Sequence, residues 1–206
     1  MTESERKQII ALIQREVIPA IGCTEPIAVA LCVAKATETL GAKPEKIKVL
    51  LSANILKNAM GVGIPGTGMI GLPIAVALGA LIGKSDYQLE VLKDSTPEAV
   101  EEGKKLIDEK RICISLKEDI TEKLYIEVTC EAGGEQATAI ISGGHTTFVY
   151  VAKGDEVLLN KQQTSGEEEK EETLELTLRK VYDFALTAPL DEIRFILETA
   201  RLNKKA

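Results

Sequence analysis

The sequence contains no tryptophan, and only 3 % of its 206 residues are aromatic. Single-stranded nucleic acids are commonly held by aromatic side chains that stack on the bases, so a surface of that kind is not expected. Positive charge is also scarce, because 32 acidic residues outnumber 25 basic ones and the formal net charge is −7. A surface that neutralises phosphates needs the opposite balance. We therefore expect no nucleic-acid partner.

Long apolar runs and a secretion signal are missing as well. The longest fully apolar run, residues 70–82, is shorter than the roughly 20 residues that a helix needs to cross a bilayer. Residues 1–6 lack the basic start and the apolar stretch of a signal peptide. These features predict a soluble, cytoplasmic protein without a membrane partner.

Four cysteines occur, and no two of them form a CxxC pair. Without a secretion signal, we expect reduced thiols rather than disulfides. Cys32 lies in an alanine-rich helical run, and Cys113 and Cys130 lie in alternating apolar runs, so all three are predicted to be core residues. Cys23 differs from them because it lies just before the start of a predicted helix.

Hydrophobic periodicity predicts an α+β fold. Apolar residues at helical spacing predict helices over residues 3–17, 26–41 and 95–110, and the nearly all-apolar run 72–82 predicts a buried helix. Alternating apolar residues predict strands at 46–52, 112–116, 124–130, 137–142, 146–151 and 157–159. Because most of the strands are joined by short connections, we expect an antiparallel sheet of about four to five strands packed with helices on one face.

Composition divides the chain into three parts. Residues 1–160 form the predicted α+β domain, and residues 161–172 form a charge-dense acidic linker. Residues 173–206 hold two amphipathic helices, over about 173–184 and 189–203. Two helices cannot make a core of their own, so they either pack on the first domain or begin a further part.

The first candidate site is the sequence Gly-Cys-Thr-Glu-Pro at residues 22–26. Thr24 is a plausible N-cap, which would place Cys23 at the positive end of a helix dipole beside unpaired backbone N–H groups. Both features stabilise a thiolate, the nucleophilic and metal-binding form of cysteine. Glu25 acts in the opposite direction because it brings negative charge near the sulfur. The alternative is a cysteine that only fills a turn.

The second candidate site is the sequence Asn-Ile-Leu-Lys-Asn at residues 54–58 with the glycine-rich loop 61–68 that follows it. The amides of Asn54 and Asn58 and the ammonium of Lys57 suit a carboxylate, and the N–H groups of a loop such as this suit an anion. Thr67, near the end of the loop, is a further candidate for binding substrate. The alternative is a solvated lysine and a loop that only packs around the buried helix.

The third candidate is His145, the one histidine of the sequence, which follows two glycines at the start of a predicted strand. Imidazole titrates near neutral pH, so His145 is a candidate general base. No serine or acid stands at a spacing that would complete a catalytic triad with it. A structural role is the alternative.

Three segments together resemble one known family. They read Pro-Ala-Ile-Gly-Cys-Thr-Glu-Pro-Ile-Ala at residues 19–28, Ser-Ala-Asn-Ile-Leu-Lys-Asn at 52–58 and Ile-Pro-Gly-Thr-Gly at 64–68. This pattern resembles the UPF0597 family, also called YhaM-like, which is related to archaeal L-cysteine desulfidase and to the α chain of iron–sulfur L-serine dehydratases. The resemblance extends through the Gly-His-Thr sequence at 144–146 to the Ala-Arg-Leu-Asn sequence at 200–203.

The resemblance implies that the chain is the N-terminal half of a longer protein. In the family, the second half carries the cysteines that, together with the motif cysteine, hold a four-iron four-sulfur cluster. Cys23 matches that ligand position, whereas Cys32, Cys113 and Cys130 match none. We therefore expect no stable cluster in this chain alone. The implied partner is the missing C-terminal half or a second subunit, and exposed apolar surface on the last two helices would favour association of chains, including a homo-oligomer.

The resemblance also implies an amino-acid lyase, which eliminates the β-substituent of L-cysteine or L-serine and yields pyruvate and ammonia, with sulfide from cysteine. The residues themselves suggest His145 or Lys57 as the base, with Asn54 and Asn58 orienting the substrate carboxylate. Two alternatives stay open. One is a non-enzymatic α+β module that binds a small anion or amino acid at the glycine-rich loop, and the other is an enzyme that uses Cys23 as a nucleophile without a cluster.

Overall fold

The computed structural model describes residues 1–161 and 175–205. Its contacts divide the chain into two units, one of Ala20–Ser165 and one of Met1–Pro19 with the described residues of Gly166–Ala206. The first helix is therefore grouped with the C-terminal helices and not with the sheet. The predicted acidic linker, residues 161–172, lies outside the described residues except for Lys161.

Three helices lie in the described residues of the smaller unit. They are α1 (Glu3–Glu16), α6 (Leu178–Thr187) and α7 (Ile196–Lys205). α1 begins at a capping box in which Thr2 and Glu5 bond each other's backbone N–H groups, a common device for satisfying the first turn of a helix. Ion pairs join Arg6 to Glu192 and Glu5 to Lys180. The C-terminal helices are shorter than predicted, since residues 190–195 form turns.

Apolar side chains of the two C-terminal helices lie open to solvent, as expected from the sequence. Leu178 and Leu186 of α6 are 90 % and 67 % exposed, and Leu197 of α7 is 63 % exposed. An apolar surface of this kind is typical of a contact region for another chain or another part of the same protein.

The described residues of the larger unit form a main sheet, a two-stranded sheet, four α-helices and one 3-10 helix. Its elements are α2 (Thr24–Leu40), β1 (Lys46–Leu51), α3 (Ala53–Ala59), β2 (Gly63–Ile64), β3 (Met69–Ile70), α4 (Leu72–Leu81), a 3-10 helix (Ser85–Glu90), α5 (Pro97–Asp108), β4 (Ile112–Leu116), β5 (Tyr125–Ala132), β6 (Glu135–Ser142), β7 (Phe148–Lys153) and β8 (Glu156–Asn160). The fold class is α+β, which confirms the prediction from periodicity.

The main sheet differs from the expected one in size and in strand direction. It has six strands in the order β4-β1-β5-β6-β7-β8, and β1 pairs with β4 in parallel while all other neighbours are antiparallel. A parallel pair needs a long crossover connection. The chain between β1 and β4 provides one, since it holds α3, α4 and α5. The sheet is therefore larger than the expected antiparallel sheet of about four to five strands, and it contains one parallel pair.

Helices α2 and α4 form the buried layer against the sheet. α2 contacts β5, β6 and β7, and α4 lies against α2 and α5. Side chains all around α4 are buried, which confirms the buried apolar helix predicted for residues 72–82. Gly79 of α4 touches the backbone of α2, because a Cβ built on it would lie 2.6 Å from the carbonyl oxygen of Ala30. Within the described residues, no helix is long and apolar enough to cross a membrane.

The direction of α2 brings the sequence motifs to one end of the sheet. The Cys32 thiol lies over the start of β5, near the carbonyl of Ile126, whereas Thr37 lies over Cys130 further along that strand. The N-terminus of α2 therefore points to the end where β5 begins. At the same end, Ser52 joins β1 to β5 by donating to Lys123 O and accepting from Tyr125 N–H.

Candidate functional site

The centre of the site is the turn before α2. Cys23 is the N-cap residue, with extended backbone angles and no capping bond from its side chain. The prediction that Thr24 caps the helix was wrong, because helical geometry already begins at Thr24. The thiol of Cys23 bonds a carboxylate of the first turn instead of a backbone N–H.

Glu25 binds the first two motifs together through its carboxylate. Its Oε2 accepts from Cys23 Sγ at 3.0 Å and from Thr24 Oγ1 at 3.2 Å, and its Oε1 accepts from Asn58 Nδ2 at 3.3 Å. All four side chains are half-buried. The sequence singled out Cys23 and Asn58 separately. Their common partner Glu25 was noted only as a negative charge, since nothing in the local pattern shows a contact across 33 residues.

The electrostatics of the turn favour a neutral thiol. Burial and the neighbouring Glu25 carboxylate raise the pKa of Cys23, and this outweighs the backbone N–H groups of Thr24 and Glu25, which lower it. The hydrogen bond from Cys23 lowers the pKa of Glu25, so Glu25 is ionised at neutral pH. The sequence indicated that the helix N-terminus would lower the pKa of Cys23 and that Glu25 would raise it. In the structure, the effect of Glu25 on this pKa is the larger of the two.

Replacing Glu25 by glutamine is expected to make Cys23 more reactive. Because the negative charge beside the sulfur is removed, the pKa of Cys23 falls and its alkylation-versus-pH curve shifts to lower pH, with roughly fivefold faster alkylation at mildly alkaline pH. The rate is measured by iodoacetamide labelling and peptide mass spectrometry. Glu131→Gln, at an exposed position on β5, is the matched control and should leave the rate unchanged. Equal rates in both variants would show that Glu25 does not govern the thiol.

The glycine-rich loop forms a small hairpin beside the same turn. β2 lies in the loop and pairs with β3, which follows it directly. Thr67 Oγ1 donates to Ile64 O at 2.7 Å and accepts from Met69 N–H at 3.0 Å. A Cβ built on Gly22 would lie 2.9 Å from Cγ of Pro65, so the loop packs directly on the cysteine turn. The donor of Thr67 is used inside the hairpin, and its role in substrate binding stays a prediction.

The remaining candidate residues lie nearby but are not joined to the thiol. Lys57 and Asn54 are exposed on α3, and His145 is half-buried in the turn between β6 and β7. That turn is fixed to the same end of the sheet by a bond from Gly143 N–H to Leu124 O. In the part of the chain that the structure describes, no hydrogen bond or ion pair joins His145 or Lys57 to Cys23. Their catalytic roles stay predictions.

Asn54 borders a separate cavity of about 560 Å³. The cavity lies between the start of α3 and residues 116–123, and Ser52, Lys117 and Lys123 line it together with Asn54. Sequence reasoning did not single out residues 116–123, because their mixed charges carry no motif. Asn54 and Asn58 are four residues apart on α3 but have different neighbours. Asn58 donates a hydrogen bond to Glu25, whereas Asn54 lines this cavity.

Comparison with known proteins places the sequence in a family. The chain is 81 % identical over all its 206 residues to a UPF0597 protein of Bacteroides thetaiotaomicron and 76 % identical to one of Phocaeicola vulgatus. This chain belongs to the UPF0597 family. A UPF0597 protein of Porphyromonas gingivalis is 49 % identical over 212 residues. The family that the three sequence segments indicated is therefore confirmed.

The UPF0597 chain spans about half the length of the curated relatives it matches, namely 48 % of the first two and 49 % of the third. A scan against protein-family models found no match, and neither did a search of the solved structures. The names of these relatives give the family and no activity.

The other cysteines of the UPF0597 chain lie apart from this turn. Cys32 and Cys130 are buried against the sheet, and burial raises the pKa of both thiols, that of Cys130 to about 11. Cys113 is exposed, so its predicted place in the core was wrong. The reason is that β4 is an edge strand and Cys113 faces away from the helices. Among residues 1–161 and 175–205, no three His, Cys, Asp or Glu side chains are grouped so as to hold a metal ion.

Proposed function

We propose that this UPF0597 chain is the N-terminal half of an iron–sulfur-dependent amino-acid lyase and that it donates one cluster ligand, Cys23. The observation that carries the proposal is the position of the Cys23 thiol. It is the half-buried N-cap of α2 and is joined through Glu25 to Asn58 of the next motif. Thiolates are the normal ligands of iron–sulfur clusters, and the backbone N–H groups at the start of α2 favour the thiolate against the opposing effects of burial and of Glu25.

The described residues offer one thiol ligand, Cys23, which suits one iron of a four-iron four-sulfur cluster. Three thiolates are normally needed to hold such a cluster with one open iron. Cys32 and Cys130 are buried behind the helix layer, and Cys113 lies on the far edge of the sheet. The other ligands must therefore come from the remaining part of the longer protein or from a second subunit, and the exposed apolar side chains of α6 and α7 offer it a surface.

The proposed reaction is a β-elimination. A base removes the α-proton of L-cysteine or L-serine, the bond to the β-substituent breaks, and sulfide or water leaves. The resulting aminoacrylate takes up water and yields pyruvate and ammonia. When bound, the cluster supplies a Lewis-acidic iron for the substrate's carboxylate and leaving group.

The chain's own residues have defined tasks in this scheme. Glu25 Oε2 accepts a hydrogen bond from Cys23 Sγ at 3.0 Å and so holds the thiol in place, and the thiol proton must leave before the sulfur binds metal. Asn58 holds the other carboxylate oxygen and so fixes the orientation of Glu25. His145 and Lys57 remain the candidate bases, and Asn54 with the second N–H of Asn58 remains the candidate for the substrate carboxylate.

The proposal is tested on a full-length protein, in which this chain is continued by the part that its longer relatives have in addition. The complete protein is expressed anaerobically and supplied with iron and sulfide, and pyruvate formation from L-cysteine and L-serine is measured. We expect a brown protein that forms pyruvate from at least one of the two amino acids. A protein without iron and without turnover would contradict the proposal.

A thermal-shift measurement on the 206-residue chain separates the lyase from a plain binding module. The lyase proposal predicts little stabilisation by L-serine or L-cysteine in the absence of iron. Clear stabilisation by either amino acid that persists in Cys23→Ala would favour the non-enzymatic module at the glycine-rich loop.

A further inference from the structure

The β4 edge of the main sheet is unusually open. β4 is the first strand in the sheet order and pairs only with β1, in continuous register from Ile112 to Leu116. Natural edge strands are usually protected by proline, by charges within the strand or by a bulge. Residues 112–116 contain neither proline nor charge. The opposite edge strand, β8, carries a glutamate and pairs with β7 across an irregularity.

Alternate backbone groups of β4 point away from the sheet. Arg111 O accepts from Ile47 N–H, and Lys117 N–H donates to Leu51 O. In a parallel pair this fixes the odd-numbered residues of β4 as those bonded to β1, so the N–H and C=O groups of Ile112, Ile114 and Leu116 face outward. Within the described residues, these outward groups have no hydrogen-bond partner.

An apolar surface lies beside these outward groups. A cavity of about 450 Å³ runs along β4, lined by Leu56, Met60, Pro73, Ile107, Ile112 and Ile114. Leu116 at the end of the strand is 44 % exposed. A strand added to this edge would gain backbone hydrogen bonds and cover apolar side chains at the same time.

We infer that this edge binds β4 of a second copy of the chain, antiparallel and about a twofold axis through Ile114. In this register Ile114 faces Ile114 of the second copy, and Ile112 faces Leu116. Each of these residues presents both backbone groups outward, so each facing pair exchanges two hydrogen bonds. The side chains of all three residues lie on the helix side of the sheet, where they form one apolar row across the twofold axis.

The charges at the ends of β4 suit this antiparallel register. The segment before the strand, Glu109 to Arg111, has one negative and two positive side chains, a net charge of +1. The segment after it, Lys117 to Asp119, has one positive and two negative side chains, a net charge of −1. The twofold axis brings each +1 segment to a −1 segment, with Lys110 near Glu118 of the second copy. Two like-charged pairs also approach, Arg111 with Lys117 and Glu109 with Asp119. Three of these four side chains already form ion pairs within their own copy, Arg111 with Glu109 and Lys117 with Glu127.

The first experiment measures the mass of the 206-residue chain in solution by light scattering and sedimentation equilibrium. We expect a dimer of twice 22.3 kDa. Leu116→Pro removes one outward N–H without touching the ladder to β1, so it is expected to give a folded monomer, with the fold checked by circular dichroism. A monomer in the unaltered chain would overturn the inference. So would a dimer that survives Leu116→Pro, since it would have to use another surface, such as α6 and α7.

A charge reversal tests the register. Lys110→Glu and Glu118→Lys, each alone, place like charges at both ends of the paired strands and are expected to weaken dimerisation about tenfold. The double variant should restore it. Positions 110 and 118 lie at opposite ends of β4 within one copy, so the restoration requires contact between copies. Absence of restoration would overturn the antiparallel register.

Discussion

Replacing Cys23 by serine in the complete, iron-loaded protein is expected to abolish pyruvate formation. A hydroxyl does not replace a thiolate as a ligand for iron, so the cluster loses one of its attachments. The chemistry that the open iron supplies is worth several kcal/mol of transition-state stabilisation, and its loss lowers the rate by roughly a thousandfold or more. Pyruvate release and bound iron are both measured, because the two should fall together.

The matched control is Cys113→Ser. Cys113 is an exposed cysteine of the same chain, on an edge strand and away from the α2 turn, and should keep full activity and iron content. Cys23 contributes no side chain to the hydrophobic core, so Cys23→Ser is expected to fold normally. A Cys23→Ser protein that keeps both its iron and its turnover would contradict the assignment of Cys23 as a ligand.

The parts of the fold that the sequence predicts are those governed by local periodicity. α4 is apolar on all sides, and an apolar helix can only be buried, so its place in the core follows from its composition. Gly41, with φ of 77°, ends α2 where the sequence places the stop. Strand pairing is different, because residues 47 and 112 are brought together by a crossover of three helices that no local pattern reveals.

The same distinction between local and tertiary features explains which parts of the candidate site could be predicted from the sequence. Cys23 is recognisable because its motif is contiguous, and Asn58 because it closes a short polar run. Their joint contact with Glu25 depends on the packing of α3 against α2, which is a tertiary event. The wrong prediction for Cys113 has a related cause, since alternation shows that a residue lies in a strand but not that the strand is at an edge or which face is covered.

Replacing Gly79 by alanine is expected to destabilise the chain by about 3 kcal/mol. The new Cβ would lie 2.6 Å from Ala30 O and 3.1 Å from Ala30 Cα. Both atoms are backbone of α2, so the clash is relieved only by separating two packed helices, and overpacking of this kind outweighs the gain of about 1 kcal/mol in helix propensity. Urea denaturation measures the free energy of unfolding.

The matched control is Gly103→Ala in α5, whose new Cβ would meet the Ile74 Cδ1 methyl at 3.0 Å, a side-chain tip that can rotate away, and Ala77 Cβ at 3.3 Å. We expect a much smaller loss there, because no backbone atom is met and the propensity gain offsets part of the contact. If the two variants differ by less than about 0.5 kcal/mol, the close approach of α4 to α2 is not a constraint on the fold.

The stability of the helix pair is also linked to the geometry of the site, because α2 carries Cys23 at its start. A displacement of α2 caused by Gly79→Ala should weaken the packing of the turn at Cys23 and speed alkylation of the thiol.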